Sequence, residues 1–191
     1  MKKIATLMVL FSIVVFAQQK GSFTDTRDGK TYKWVKIGTQ TWMAENLNYN
    51  ANGSQCYKNK PDYCHRYGRL YDWETAKIIC PKDWHLPSNR EWDALITAVG
   101  GNSIAGTKLK AKGDWTDDGN GTNDYGFSAL PGGFGDSRGS TFLVNDSGNW
   151  WSATEKNSSW AYQRGMHYLN TDVLSFDNYK MNIISVRCIQ D

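Results

Sequence analysis

The chain has 191 residues, with 22 Lys and Arg against 19 Asp and Glu, and aromatic side chains at 14% of its positions. This length fits one domain of ordinary size. The aromatic content excludes intrinsic disorder, because disordered chains lack the apolar groups that offset chain entropy. The near-neutral charge, with no Lys/Arg run longer than two, argues against nucleic acid or an anionic membrane as the partner.

The first 17 residues have the pattern of a cleaved signal peptide. Two lysines precede an apolar stretch over 4–16, and Val15 and Ala17 stand at the spacing that signal peptidase recognises. A membrane anchor is the alternative, but this stretch is short for a bilayer core that needs about 20 helical residues. The first cysteine is Cys56, which argues against a lipoprotein. We therefore expect export without membrane insertion, and a mature chain with 20 basic and 19 acidic side chains, a net charge of +1.

Short strands and one helix are predicted in the first half of the mature chain. The Asp28-Gly29 pair indicates a turn before a strand over 31–37, and a second strand is predicted over 40–43. Apolar residues recur at helical spacing over 71–79, a stretch without Gly or Pro, and this predicts a first helix there with Asp72 as its N-cap.

A second helix and a long irregular region follow. Ser88 is a good N-cap, Glu91 completes a capping box, and the apolar face ends at Gly100-Gly101. Residues 102–149 are rich in Gly, Asp, Asn and Ser, and connections of this length are usually functional or held by their own packing. Closing strands are then predicted within 150–153, 160–169, 173–176 and 184–189. The order favours a single α+β domain over 18–191 with an antiparallel sheet.

Four cysteines in an exported chain predict disulfides, and four allow three pairings. Cys56 and Cys64 lie eight apart in a turn-rich stretch, which favours a local bridge. Cys80 and Cys188 then pair across most of the domain. The alternative is a zinc site or a catalytic thiol, which the absence of Cys-x-x-Cys and of a His repeat disfavours.

Six motifs in a fixed order closely resemble the Fibrobacter succinogenes major paralogous domain, a family of exported bacterial proteins. The resemblance covers about residues 22–190. The motifs are Gln40-Thr41-Trp42-Met43-Ala44-Glu45-Asn46-Leu47, Gly68-Arg69-Leu70-Tyr71-Asp72-Trp73, Cys80-Pro81-Lys82-Asp83-Trp84-His85-Leu86-Pro87-Ser88, Gly126-Phe127-Ser128-Ala129-Leu130-Pro131-Gly132-Gly133, Trp151-Ser152-Ala153-Thr154-Glu155 and Ser185-Val186-Arg187-Cys188.

The resemblance implies a disulfide-stapled fold related to C-type lectin-like domains and to formylglycine-generating enzymes. Two helices then flank small antiparallel sheets, a long loop region leaves one end, and Cys188 in the last strand bridges to Cys80 at the end of the first helix. The resemblance does not transfer an activity. The Glu-Pro-Asn, Gln-Pro-Asp and Trp-Asn-Asp triplets of calcium-dependent sugar binding are missing, as is the cysteine pair of the formylglycine-generating enzymes.

Candidate cation and catalytic residues are few. We expect no cofactor, with calcium as the alternative in the loop from Asp114 to Asp124, whose alternating oxygen ligands suit a hard cation. This loop is not an EF-hand, and a turn-rich loop is the simpler interpretation. His65, His85 and His167 lack the partners of a catalytic set, and His85 is interpreted as a buried structural histidine. No paired carboxylates are recognisable from the sequence.

Aromatic side chains in the irregular region are the candidates for ligand binding. Sugars stack their C–H faces on flat rings, and loops tend to carry binding sites. The aromatic residues inside the shared motifs, among them Trp42, Trp73, Trp84, Trp92 and Trp151, are predicted to be core. The candidate binding residues are Trp115, Tyr125, Phe134, Phe142 and Trp160.

Two functional hypotheses follow. The first is an exported, non-catalytic binding or adhesion module that recognises polysaccharide or another exported protein through the long loop region. The second is a secreted carbohydrate-active hydrolase with an unrecognised carboxylate pair. Either protein would be periplasmic, displayed on the outer cell surface or released.

Overall fold

The computed structural model describes residues 18–191, so the predicted signal peptide over 1–17 lies outside the described residues. Within them the chain forms small sheets and short helices. The helices are α1 Pro61–Tyr67, α2 Trp73–Ala76, α3 Asn89–Ala98 and α4 Asn102–Leu109, with a 3-10 turn at Tyr57–Asn59. The strands are β1 Lys20–Thr24, β2 Thr31–Ile37, β3 Gln40–Met43, β4 Leu70–Tyr71, β5 Trp84–His85, β6 Phe134–Gly135, β7 Thr141–Phe142, β8 Ser147–Glu155, β9 Trp160–His167, β10 Leu174–Tyr179, β11 Ile184–Ser185 and β12 Ile189–Gln190.

The strands form two five-stranded sheets and a hairpin. The first sheet has the order β1-β2-β3-β12-β5, the second has the order β10-β9-β8-β11-β4, and β6 pairs with β7. The small sheets that the resemblance implies are therefore present, and the one sheet expected from the order of the elements is divided between them. The pairing is not antiparallel throughout, because β11 runs parallel to β8 where Ser185 pairs with Trp150. The predicted strand over 184–189 is in fact β11 and β12, which lie in different sheets.

Both predicted helices are present, and two further helices were missed. Ser88 caps α3, with its side chain accepting from the Glu91 amide while the Glu91 side chain accepts from the Ser88 amide. Asp72 caps α2 as predicted, but α2 ends at Ala76 and is the second helix, not the first. The "irregular" region begins with α4, in which Gly106 lies so close to the backbone of residues 171–172 that a β-carbon would be 2.4 Å from the Asp172 carbonyl oxygen.

Both predicted disulfides are present. Cys56 is bonded to Cys64, and Cys80 is bonded to Cys188. Cys188 immediately precedes β12 and is fully buried. The long bridge therefore ties the crossing between the two sheets to the segment that follows α2.

Aromatic side chains dominate the core, as the sequence predicted. Trp42 and Trp92 pack with ring centroids 4.8 Å apart, and Trp150 extends this first cluster at 6.3 Å from Trp92. A second cluster contains Trp73 and Trp151. All five tryptophans expected in the core are at most 8% exposed.

A fully buried arginine joins the two sheets. Arg187 lies in the crossing from β11 to β12, and its guanidinium donates to Asn46 Oδ1 at 2.7 and 3.1 Å and to the carbonyl oxygens of Phe127 and Ser128. The guanidinium also lies 4.4 Å from the centroid of the Phe127 ring. Burial lowers the pKa of Arg187, because low polarity disfavours the charged form. The hydrogen bonds to neutral acceptors hold the charge in place without a contacting carboxylate.

Candidate functional site

A groove of about 440 Å³ runs over one face of β8, β9 and β10. Its floor is polar, and its walls are apolar. The floor side chains are Asn149, Gln163 and Asn178, and the wall side chains are Phe134, Leu143, Leu174 and Phe176. This volume is in the range of about 300 to 1,000 Å³ that is typical of ligand sites.

Strand register brings these side chains to one face. Phe176 pairs with Gln163 across β9 and β10, and Gly165 pairs with both Leu174 and Asn149. Directly paired residues share a face, and side chains alternate along each strand. The intervening Arg164 therefore points to the opposite face, where it contacts Asp93 of α3 at 2.7 Å.

Gly165 gives the groove its depth. A β-carbon at this position would lie 3.1 Å from the Phe176 ring and 3.2 Å from Asn149 Oδ1. The glycine thus lets an aromatic ring and an amide approach the same point of the floor. Any larger residue would push one of them aside.

A ladder of side-chain amides includes the three floor residues and extends beyond the groove to Asn182. Asn182 donates to Asn178 Oδ1 at 2.7 Å, Asn178 donates to Gln163 Oε1 at 3.0 Å, and Gln163 donates to Asn149 Oδ1 at 3.5 Å. Asn149 in turn donates to Ser147 Oγ at 2.7 Å. Each amide nitrogen has two hydrogens, and the ladder uses one. Among the described residues, none accepts a bond from the second hydrogen of these four amides.

The groove walls leave apolar surface open to solvent. Phe176 is 44% exposed and Leu143 is 46% exposed. Phe134 is half-buried, and its ring centroid lies 5.5 Å from that of Phe142, which is also exposed. Aromatic rings beside fixed amide donors are well suited to a ligand with both apolar and hydroxyl-bearing surfaces.

The structure separates the five aromatic residues predicted to bind. Phe134 lines the groove, and Phe142 packs against it from β7. Trp160 is 41% exposed but lies on the opposite face of β9, where its ring packs on Tyr179. Tyr125 is half-buried against the first core cluster, away from the groove.

Trp115 lies inside the core. It is 4% exposed, and its indole nitrogen donates to the Ala129 carbonyl oxygen at 3.1 Å. The Lys110 ammonium lies 5.1 Å from the centroid of its ring. Neither ring face is therefore open to a ligand in this structure.

The predicted cation loop is held by protein contacts. The Asp114 carboxylate pairs with Arg66, and Asn120 Oδ1 accepts from the Trp115 amide at 3.2 Å. Asn123 binds Ser128 through both its oxygen and its nitrogen. Throughout residues 18–191, no three His, Cys, Asp or Glu side chains are grouped closely enough to hold a metal ion. Calcium binding at this loop stays the untested alternative to the expectation of no cofactor.

The prediction that His85 is buried is wrong, although it is hydrogen-bonded as expected. Its side chain is 41% exposed, with Nε2 2.8 Å from Glu91 and Nδ1 2.6 Å from Asp191. Burial alone lowers the pKa of His85, but the bonds and charges of the two carboxylates outweigh this effect and raise it. His85 therefore links β5, α3 and the C-terminus by charge.

A second cavity, of about 430 Å³, contains three acidic residues with structural roles. Asp72 caps α2 through a bond from the Thr75 amide at 2.8 Å. Asp136 Oδ1 accepts from two backbone amides of its own turn, and Glu74 pairs with Lys77 at 2.8 Å. Each of the three carboxylates therefore has a partner within the protein.

Most of the groove is not predicted from the sequence. Most of its residues lie on β8, β9 and β10, whereas the candidate residues are aromatic side chains in or near the irregular region over 102–149, and of these Phe134 lines the groove. One local signal was available, because Leu174, Phe176 and Asn178 alternate with polar residues in a short strand. The amide ladder left no such signal, since its members are far apart in sequence.

Fold and groove together define a disulfide-stapled α+β domain with an aromatic and amide groove on one sheet. The Fibrobacter succinogenes major domain matches residues 35–190. The chain belongs to this family. Comparison with curated proteins gives no significant match, and comparison with solved structures gives none either.

The disulfides and helices of the described residues bear on the compartment in which the protein is found. Two disulfides indicate an oxidising compartment outside the cytoplasm. None of the helices in residues 18–191 is long and apolar enough to cross a membrane.

Proposed function

We propose that this protein is an exported, non-catalytic binding module that recognises polysaccharide through the groove on β8, β9 and β10. The observation that carries the proposal is the exposed Phe176 ring beside the amide ladder. A sugar ring has apolar C–H faces for the aromatic wall and hydroxyl oxygens for the spare amide hydrogens. Another exported protein is the alternative ligand, and it would not require this array of donors.

The scaffold is proposed to be C-type lectin-like. Support comes from the two small sheets, the capped helices and the Cys80–Cys188 bridge at the last strand. Sugar binding on it would differ from calcium-dependent recognition, since the sequence triplets of that mechanism are missing. The proposed contact surface is therefore formed by neutral amides and rings.

A hydrolase remains the competing class. Glycoside hydrolysis usually needs two carboxyl groups about 5 to 9.5 Å apart across the cleft. Among the described residues lining the groove, Asp177 is the one acidic residue, and strand alternation places its side chain on the face opposite Phe176 and Asn178, where it is bonded to Lys156 at 2.6 Å. This supports the non-catalytic proposal. Release of soluble sugars by the purified protein would contradict it.

The proposed location of the protein is the periplasm or the cell surface. The signal-like pattern over 1–17 and the two disulfides both support it. Polysaccharides outside the cytoplasm would then be accessible to the groove.

The test is retention of the purified protein on amorphous cellulose, xylan and mannan. Phe176→Ala should weaken retention on the bound polysaccharide about tenfold, a loss of about 1.4 kcal/mol, which is the size expected for one aromatic contact. Trp160→Ala is the matched control, because Trp160 has nearly the same exposure on the opposite face of β9. Equal loss in both variants, or no retention of the unaltered protein, would contradict the proposal.

A further inference from the structure

The charges around the groove indicate which class of polysaccharide it binds. Resting on the proposed function, we infer that the groove selects uncharged polysaccharides and discriminates against those with a carboxylate on the sugar. Three features carry this inference: the lining side chains, the pairing of Asp177 with Lys156, and the neutral amide floor.

Among the described residues, the groove has no permanently charged cation in its lining. Its lining residues include neither Lys nor Arg. Arg164 lies in β9 between two of them, but its guanidinium is on the opposite face with Asp93. A sugar carboxylate in the groove would therefore lack the paired cation that proteins use to hold anions.

The one carboxylate among the residues that line the groove is balanced by a lysine. The Asp177 carboxylate is paired with Lys156, and the bond to that ammonium lowers its pKa, so the pair carries no net charge at pH 7. His167 Nδ1 accepts from the Leu169 amide at 3.3 Å.

The floor suits hydroxyl groups and disfavours ions. Asn149 is 6% exposed and Gln163 is 8% exposed, so a ligand group that reaches them loses its water. A hydroxyl that accepts from a spare amide hydrogen replaces one neutral hydrogen bond with another. A carboxylate there gives up the stronger hydration of an ion, with no opposite charge in return.

The test uses pairs of ligands that differ only at carbon 6. Cellohexaose is compared with its C6-carboxylate, and polygalacturonate is compared with its carboxyl-reduced form, by calorimetry at pH 7 and physiological salt. In each pair for which binding is detected, the uncharged ligand should bind at least tenfold more tightly than the carboxylate. Equal or tighter binding of the carboxylate overturns the inference and leaves the proposed function standing. No binding of any of the four ligands overturns the inference, and retention on cellulose, xylan or mannan then decides the proposed function separately.

A charge placed in the groove should weaken the preference for the uncharged ligand. Leu174→Lys puts an ammonium on the wall and should raise the affinity for the carboxylate relative to its uncharged partner at least tenfold. Tyr179→Lys adds the same charge on the same strand but on the opposite face, and should leave the ratio unchanged. An equal effect of both variants would show a general charge effect and would overturn the assignment to the groove.

Discussion

The two disulfides should contribute unequally to stability, because they close loops of very different length. Cys80 and Cys188 are 108 residues apart, whereas Cys56 and Cys64 are 8 apart. On the chain-entropy model, the long bridge destabilises the unfolded state by about 4.8 kcal/mol and the short one by about 2.5 kcal/mol. The expected difference between the two is therefore about 2.3 kcal/mol.

The measurement is urea unfolding of two paired variants and the unaltered protein. Cys80→Ala with Cys188→Ala should lose about twice as much unfolding free energy as Cys56→Ala with Cys64→Ala. For a domain of this size, 1 kcal/mol corresponds to about 2 to 4 °C in Tm, so the long bridge should account for about 10 to 19 °C. Because each pair is changed to alanine, both variants also lose the packing of two sulfur atoms.

An equal or larger loss from the short bridge would refute this reasoning. It would show that local strain or residual structure in the unfolded chain outweighs loop length. The slope of unfolding free energy against urea should also be compared, because a changed slope would report a changed unfolded state.

Three further changes should have distinct effects on stability. Arg187→Met should lower the unfolding free energy by about 3 kcal/mol in urea titration, because it leaves buried carbonyl oxygens without donors; a loss below about 1 kcal/mol would contradict this. Ser88→Ala should cost about 1 kcal/mol in the same assay through loss of the α3 cap, and no loss would show that the cap is dispensable. His85→Gln should destabilise more at pH 5.5 than at pH 9, measured by Tm. Because the pKa of His85 is raised in the folded protein, the stability that its charged contacts provide is complete below the unfolded pKa of 6.5 and is lost as the pH rises through the folded pKa. An equal loss of Tm at both pH values would refute this prediction.

Local chemistry made the capped helices and the disulfides predictable. Ser88 and Glu91 determine a helix start through contacts three residues apart, and the eight-residue spacing of Cys56 and Cys64 favours one pairing of four cysteines. The signals of α1 were also present, with Pro61 at its first turn and Gly68 after its last. They were missed because this stretch was interpreted only as a disulfide-closed turn.

The groove depends on information that no local pattern contains. Asn149, Gln163 and Asn178 become neighbours only through the register of three strands, and a shift of one residue would send each to the other face. Similarly, Trp160 and Phe176 both look like surface aromatics in the sequence. Strand alternation alone places them on opposite faces.

The most direct test of the central claim is a nuclear magnetic resonance titration of the ¹⁵N-labelled protein with cellohexaose, xylohexaose and mannohexaose. Side-chain amides of Asn149, Gln163 and Asn178 give signals of their own, as does the indole of Trp160. If the groove is the binding site, the three amide signals shift together with one of these sugars while the Trp160 indole stays fixed. A shift of the indole with unmoved amide signals, or no shift with any of the three sugars, would contradict the account.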